Sequence, residues 1–430
     1  MTQSLLGFAA AFALIFLRVP IATSLALVGF VGYAMVNGLP QSLFSLGLIA
    51  KGTTLVYSLS VLPLFILMGN LVAGAGISHD LFRAGHLILG RLRGGLAIAT
   101  VAACAGFGAI CGSSAATAAT MAKVSVPPMR QAGYADRLAV ATVAAGGTLG
   151  ILIPPSIIMV VYGVSTMTHI GMLFVAGIVP GIVAVLGYVL AVKWVVWRDP
   201  EAAPLGERVA WTAKLQALRG LWPVLVLFGL VMGGLYGGWF TATEAGGIGA
   251  TGAFVFALFH HELKLRDIGE ILVDTALTSA SLMAIFLGAA IFGEFVNQTG
   301  VHDALLGLVQ GSGLPSFGIA LIIIAIYMVM GCVLESISII LLTIPVFFPI
   351  IVSLGYDPIW FGVIIVVATE IGLITPPIGV NLFVIRSIIP DVTMGTLLRG
   401  ILPFIIVDFG RILLLAAVPE ITLWLPRLLF

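Results

Sequence analysis

Charge is what this sequence has least of. Of 430 residues, 19 are Lys or Arg and 18 are Asp or Glu, 9% together, while 60% are hydrophobic and the mean hydropathy is +1.21. A soluble domain carries roughly 25% charged residues, so this chain cannot cover itself with a water-soluble surface, and the lipid bilayer must be its solvent. The net charge of +1 leaves no footprint for nucleic acid. The three cysteines, Cys104, Cys111 and Cys332, sit in apolar runs without metal-ligand spacing and read as small buried hydrophobes. The six histidines form no metal-spaced cluster. Phosphate-binding G-x-x-x-x-G-K-[ST], H-E-x-x-H and G-x-S-x-G are all missing, so neither ATP-driven work nor hydrolytic chemistry is indicated, and the chain does not read as an enzyme. The N-terminal apolar run lacks a basic leader and a small-residue cleavage site and is expected to be a first span.

Strand-like alternation is also missing. Long apolar runs with no period of two exclude a transmembrane barrel. The remaining way to satisfy every backbone amide and carbonyl in hydrocarbon is helix. The expectation is an all-α polytopic membrane protein.

What is present is a duplication. GTLGILIPPS (Gly147 to Ser156) returns as TEIGLITPPIG (Thr369 to Gly379), and Pro154-Pro155 lies 222 positions before Pro376-Pro377. The same offset carries Pro127 to Pro349 and Gly133-Tyr134 to Gly355-Tyr356. Repeat one is read as 1–205, a linker as 206–217 within the polar stretch Arg198 to Arg219, and repeat two as 218–430. Each repeat contains an apolar stretch interrupted midway: about 94–127, broken at Gly112-Ser113-Ser114, and about 317–350, broken at Glu335-Ser336. The arms of about 15 to 17 residues reach mid-bilayer but are short for two crossings, so each stretch reads as a re-entrant hairpin. Each is followed by a span broken at Pro-Pro, about 136–167 and about 358–388. Ser113 to Pro154 and Glu335 to Pro376 are both 41 residues.

Lys and Arg collect on the cytoplasmic side. The first hairpin is flanked by Arg83, Arg91, Arg93, Lys123, Arg130 and Arg137, whereas 301–317 and 350–360 around the second carry no basic residue. The hairpins are therefore expected to enter from opposite faces, as an inverted-topology pair. Five crossings per repeat place the linker, with Arg208 and Lys214, in the cytoplasm.

Paired, Gly/Pro-interrupted segments at matching positions point to a midplane binding site. Helix breaks leave carbonyls that suit a bare cation, and amides with a positive dipole end that suit a carboxylate. The candidates are Gly112, Ser113 and Ser114 at the first tip, and Gly147, Thr148, Gly150, Pro154 and Pro155 in the first broken span. In repeat two they are Glu335 and Ser336 at the tip, with Glu370, Gly372, Thr375, Pro376 and Pro377 behind it. Na⁺ is expected near Ser113 and near Gly372 to Pro377, on backbone carbonyls. Glu244 reads as a helix-cap carboxylate, Asp408 with Arg411 as a paired structural ion, and His79 and His302 as solvated corner residues.

At 64–78, 93–120, 147–163, 173–181, 237–250 and 371–384 the chain resembles the large membrane subunit of tripartite ATP-independent periplasmic (TRAP) transporters, the C4-dicarboxylate permease type. The resemblance spans nearly the whole length. It implies an elevator-type transporter of a bacterial inner membrane. It implies Na⁺-coupled import of small organic acids such as dicarboxylates or sialic acid, with no cofactor beyond the coupling ion. The implied partners are a periplasmic substrate-binding protein and a separate small four-span membrane subunit. A self-sufficient Na⁺/dicarboxylate symporter is the alternative within the fold, and a passive channel the alternative outside it. The family's ion-site region falls on Gly112–Ser114, Gly147–Pro155, Glu335–Ser336 and Gly372–Pro377.

Overall fold

The computed structural model describes residues 2–206, 210–260 and 264–430, so Arg208 of the linker lies outside the described residues. Among the described residues the regular structure is helical throughout, without strands. The first half contains α1 (Thr2–Phe16), α2 (Ile21–Asn37), α3 (Leu39–Thr54), α4 (Val61–Gly74), α5 (Ile77–Leu89), α6 (Gly95–Cys111), α7 (Ser114–Gln131), α8 (Asp136–Thr148), α9 (Ile157–Thr166) and α10 (Ile170–Arg198). Next come α11 (Trp211–Gly220), α12 (Trp222–Tyr236), α13 (Ala242–His260), α14 (Leu265–Gln298), α15 (Val301–Gly311) and α16 (Ser316–Gly331). The chain ends with α17 (Ser336–Ser353), α18 (Pro358–Ile374), α19 (Val380–Ile388), α20 (Met394–Ala417) and α21 (Glu420–Leu429). Five of these, counting α4 with the short turn before it, are each long and apolar enough to cross a membrane alone; α6, α9, α16 and α18 are shorter apolar helices.

Residue chemistry explains where the helices stop. Gly112 takes a left-handed φ of 64° and donates its amide to Gly108 O at 2.8 Å, which closes α6. Ser113 then caps α7 by accepting the Ala116 amide. Gly76 and Gly300, with φ of 71° and 65°, start α5 and α15 at equivalent corners. Ser156 caps α9, and Glu335 caps α17 through the Ser338 amide. Both Pro-Pro bonds, Pro154-Pro155 and Pro376-Pro377, are cis.

Several boundaries differ from the sequence reading. The hairpin arms do not end at Pro127 and near Pro349. The helix α7 continues through Pro127 and Pro128 to Gln131, and α17 through Pro345 and Pro349 to Ser353. Apolar helices tolerate proline where neighbours re-satisfy the freed carbonyl. Within the stretch read as the 206–217 linker, α11 begins at Trp211, packs on α5, and bends by 44° into α12. The third span of repeat two is a single 34-residue helix, α14, while its counterpart in repeat one is broken between α3 and α4.

Packing between the halves is reciprocal. The α2 helix lies along α14 and α13 along α4; α7 packs on α19 and α17 on α9; α8 packs on α20 and α18 on α10. Three equivalent pairs meet each other directly: α4 with α14, α8 with α18 and α10 with α20. Each contact thus has a counterpart with the halves exchanged, as a two-fold relation requires.

Close approach is met by glycine. A Cβ on Gly372 would lie 2.4 Å from the Gly331 backbone, where the Pro-Pro span crosses its hairpin, and one on Gly150 would lie 2.8 Å from Thr117 Oγ1. In lipid such contacts replace the hydrophobic effect as the source of helix association. Gly372→Ala is therefore expected to cost about 1–3 kcal/mol, read as a lower Tm in detergent. Gly47→Ala, with open space around it, should leave Tm unchanged or slightly raised.

Candidate functional site

The two hairpin tips reach one cavity of about 280 Å³, near the small end of the range for ligand pockets. Gly112, Ser113 and Ser114 come to it from the first tip, and Glu335 and Ser336 from the second. Its wall is also formed by the first residues of α9 (Ile157, Ile158) and of α19 (Val380, Asn381). Four helix N-termini, those of α7, α9, α17 and α19, therefore converge on one space. The C-terminal ends of α6 at Cys111 and of α18 near Leu373 reach it as well. Asn70 of α4 and Thr278 and Leu282 of α14 close the remaining side. The Asn70 carboxamide donates to Thr275 Oγ1 at 3.0 Å, which ties those two walls together.

Convergence of this kind has definite electrostatics. Each helix N-terminus presents unpaired amides and a partial positive charge, and each C-terminus presents unpaired carbonyls. A cavity bounded by both can hold an anion and a cation without a compensating buried side chain of either sign. Glu335 supplies the one carboxylate in the wall. It accepts the Ser338 amide at 3.4 Å and remains accessible from the cavity. Two polar atoms on wall residues lack a protein partner although fully enclosed: Ser336 Oγ and Asn381 Oδ1. Buried polar groups are nearly always paired, so these two oxygens mark where the packing around the cavity leaves polar groups unmatched.

Asn381 was not singled out by the sequence. Its amide nitrogen donates to Ser114 Oγ at 2.7 Å and points to Ala144 O at 3.4 Å, so repeat two reaches across to the first tip. The available signal was a lone carboxamide in the apolar turn after Pro-Pro-Ile-Gly. Asn70, alone in LFILMGNLVAG, carried the same signal.

The remaining candidates lie outside the cavity wall. Gly147 packs on Ala118 and Gly150 on Thr117 and Gly108; Gly372 packs on Gly331. Pro154, Pro155, Pro376 and Pro377 form the loops that turn the chain into α9 and α19. Thr375 donates its hydroxyl to Ile371 O at 2.6 Å. In repeat two the Gly379 amide donates to Cys332 O at 3.2 Å, fixing the loop to the tip.

Thr148 and Glu370 occupy equivalent positions in the two repeats, and they meet. Thr148 Oγ1 lies 2.7 Å from Glu370 Oε1. Glu370 Oε2 takes Arg411 Nη2 at 3.0 Å, and the same nitrogen lies 2.9 Å from Asp408. Tyr188 closes the ring by donating to Asp408 at 2.8 Å, with its hydroxyl 3.1 Å from Thr148. All four ionic and phenolic side chains are buried. Glu244 exchanges hydrogen bonds with Thr241 at the start of α13 and is a helix cap. His302, expected at a solvated corner, is half-buried instead and paired with Asn297 at 2.8 Å. No group of three or more His, Cys, Asp or Glu able to hold a metal occurs among the described residues.

A multi-pass helical membrane protein with two interrupted hairpins folded onto one central cavity is the class that these features define, and it is the build of a transporter. The comparisons carry this to a family. The model of the DctM component of tripartite ATP-independent periplasmic transporters matches residues 8–421. The chain belongs to that family and is a TRAP large permease subunit. It is 36% identical to the C4-dicarboxylate TRAP transporter large permease protein DctM of Pseudomonas aeruginosa, covering 90% of each chain. It is 31% identical to the sialic acid TRAP transporter large permease protein SiaM of Vibrio cholerae, covering 86% of this chain and 87% of that one. With the ectoine TRAP transporter large permease protein TeaC of Halomonas elongata it shares 31% identity over 96% of both. In fold it resembles the crystal structure of the Alcanivorax borkumensis YdaH transporter, with TM-score 0.63 and 16% identity over 97% of this chain and 98% of that one. These relatives are permeases, not enzymes.

Breaking one partner of a buried ion pair leaves an uncompensated charge at a cost of about 3–5 kcal/mol. Arg411→Met should therefore lower Tm strongly. Adding Glu370→Gln should recover part of that loss, as a double-mutant cycle in detergent would show.

Proposed function

We propose that the tip cavity binds a small organic acid together with Na⁺, and that the chain imports the acid by Na⁺-coupled secondary transport across a bacterial inner membrane. The observation that carries this reading is the convergence of four helix N-termini on a cavity whose wall also carries the Glu335 carboxylate. The amides favour the carboxylate of the solute. The Glu335 carboxylate, accessible from the cavity, favours the cation. The carbonyls at the C-terminal ends of α6, at Cys111, and of α18, near Leu373, supply further hard oxygen for Na⁺.

In this reading the hairpins and the two Pro-Pro spans form one mobile unit, and the long helices around α2, α4, α13 and α14 form the frame against which it slides. Reciprocal packing of the halves supports an inverted-repeat elevator, in which the two arrangements of the unit are near-equivalent by symmetry. Loading the cavity removes the charges and orphaned atoms that would otherwise travel bare through the midplane. Relatives carrying names for C4-dicarboxylate, sialic acid and ectoine transport suggest that one such cavity serves several acids. Selectivity then rests largely on a periplasmic binding protein, with a small four-span subunit bracing the frame.

The test is uptake into proteoliposomes holding this chain with its small subunit and binding protein, offered succinate, sialic acid and ectoine. An inward Na⁺ gradient should drive uptake of at least one. Ser113→Ala, Asn381→Leu or Pro376→Ala should reduce its initial rate about tenfold or more, equivalent to about 1.4 kcal/mol, with insertion intact. Unimpaired uptake in all three variants would remove the cavity from the mechanism. Uptake indifferent to the Na⁺ gradient would remove the coupling and favour a passive channel. Uptake without the binding protein would favour a self-sufficient symporter.

A further inference from the structure

A second cavity, of about 610 Å³, lies beside the first. The two share walls. On α14, Leu282 faces the tip cavity and Phe286 the larger one; on α17, Ile337 faces the tip cavity and Leu341 the larger one. Each step is one helical turn, about 6 Å of rise. Between the cavities stand four apolar side chains, Leu282, Phe286, Ile337 and Leu341, 5 to 8% exposed. A constriction of that kind excludes water until its walls part.

The polar groups of the larger cavity are unevenly placed. The α17 wall is apolar, ending in Pro345, Phe348 and Pro349. The α14 and α15 walls bring Glu294, Asn297 and His302. Among the described residues Glu294 is the only Asp, Glu, Lys or Arg in the lining, and it accepts from the Gln298 amide at 3.1 Å. Lys51, beside Gly52 of the wall, is exposed and does not line the cavity. Asn297 Oδ1 sits 2.8 Å from His302 Nε2. A carboxamide oxygen only accepts, so Nε2 carries the proton and Nδ1 keeps its lone pair. That Nδ1 is buried without a partner. That wall thus offers a carboxylate, with no Lys or Arg among the described lining residues to neutralise it.

We propose that this cavity is an antechamber that collects a monovalent cation ahead of the tip cavity, with Glu294 as its ligand and the Leu282–Phe286–Ile337–Leu341 constriction as the barrier between the two. The proposal rests on the tip cavity being the cation's destination. The charge on Glu294 raises the local cation concentration next to the constriction, in a space where low-dielectric walls strengthen the attraction.

Charge selectivity of the chamber is measurable without transport. Ser165 at the end of α9 is exposed in the cavity wall and serves as a reporter when changed to cysteine. The three native cysteines are buried and set the background. Rates of modification of Ser165→Cys are compared for a trimethylammonium-ethyl and a sulfonatoethyl methanethiosulfonate. The cationic reagent should be favoured by about tenfold beyond the ratio found for a free thiol in solution, equivalent to about 1.4 kcal/mol. Glu294→Gln should bring the ratio back to the free-thiol value. NaCl should slow the cationic reagent more than choline chloride at equal ionic strength. This competition needs no Glu294 variant and decides the matter if that variant does not fold. A free-thiol ratio in the unaltered chamber, a ratio unmoved by Glu294→Gln, or equal effects of Na⁺ and choline would each overturn the antechamber. Those results would leave the tip cavity standing, because they do not depend on Na⁺-driven uptake, whose absence would count against the tip cavity instead.

Discussion

A bare amide or carbonyl in hydrocarbon costs several kcal/mol, and the rest of this structure follows from that penalty. A helix that breaks in mid-apolar sequence exposes such groups, so every break must be covered by another part of the chain. Here the breaks cover one another. The first tip lies against the Pro154-Pro155 loop, where Gly112 approaches Pro155 O, and the second tip takes the Gly379 amide on Cys332 O. The space left over, where the groups cannot all find protein partners, is the cavity. Ser336 Oγ and Asn381 Oδ1, on residues that border that space, are among the enclosed polar atoms left without a protein partner.

The polar cluster behind the cavity serves the same end differently. Thr148, Tyr188, Glu370, Asp408 and Arg411 come from four helices and both halves, and they close on each other away from the cavity wall. Buried ion networks contribute little net stability but penalise every arrangement that separates their members. In a protein whose halves associate through glycine contacts, such a network joins the two broken spans as one body. The α8–α18 and α10–α20 contacts run through it.

Much of this could be read from residue types. Helix breaks at Gly112-Ser113, Glu335 and the two Pro-Pro pairs lie at residues that end or cap helices whatever their surroundings, and the duplication marked them as related. Charge scarcity settled the solvent, and with it the helical class. The errors came where local chemistry is ambiguous. The hairpin ends read at Pro127 and near Pro349 lie inside α7 and α17, which run on to Gln131 and Ser353. The polar segment after Arg198 looked like a linker, yet α11 forms there and packs on α5. His302 looked solvated, and only the fold shows it half-buried at a cavity and paired with Asn297.

Two things were therefore determined by the sequence alone. The chain must be solved in lipid as helices, and it must break those helices at paired positions, because both depend on the intrinsic chemistry of single residues and short motifs. Tertiary structure decided which groups meet. Thr148 and Glu370 share a repeat position and could equally have faced a cavity; the packing of α8 on α18 turned them toward each other. Asn381 is one carboxamide in an apolar turn, and becomes part of the cavity wall only because α19 lies on α7. Contacts across more than 200 residues of chain leave no trace in local pattern, since what fixes them is the requirement that every buried polar group in the bundle be satisfied at once.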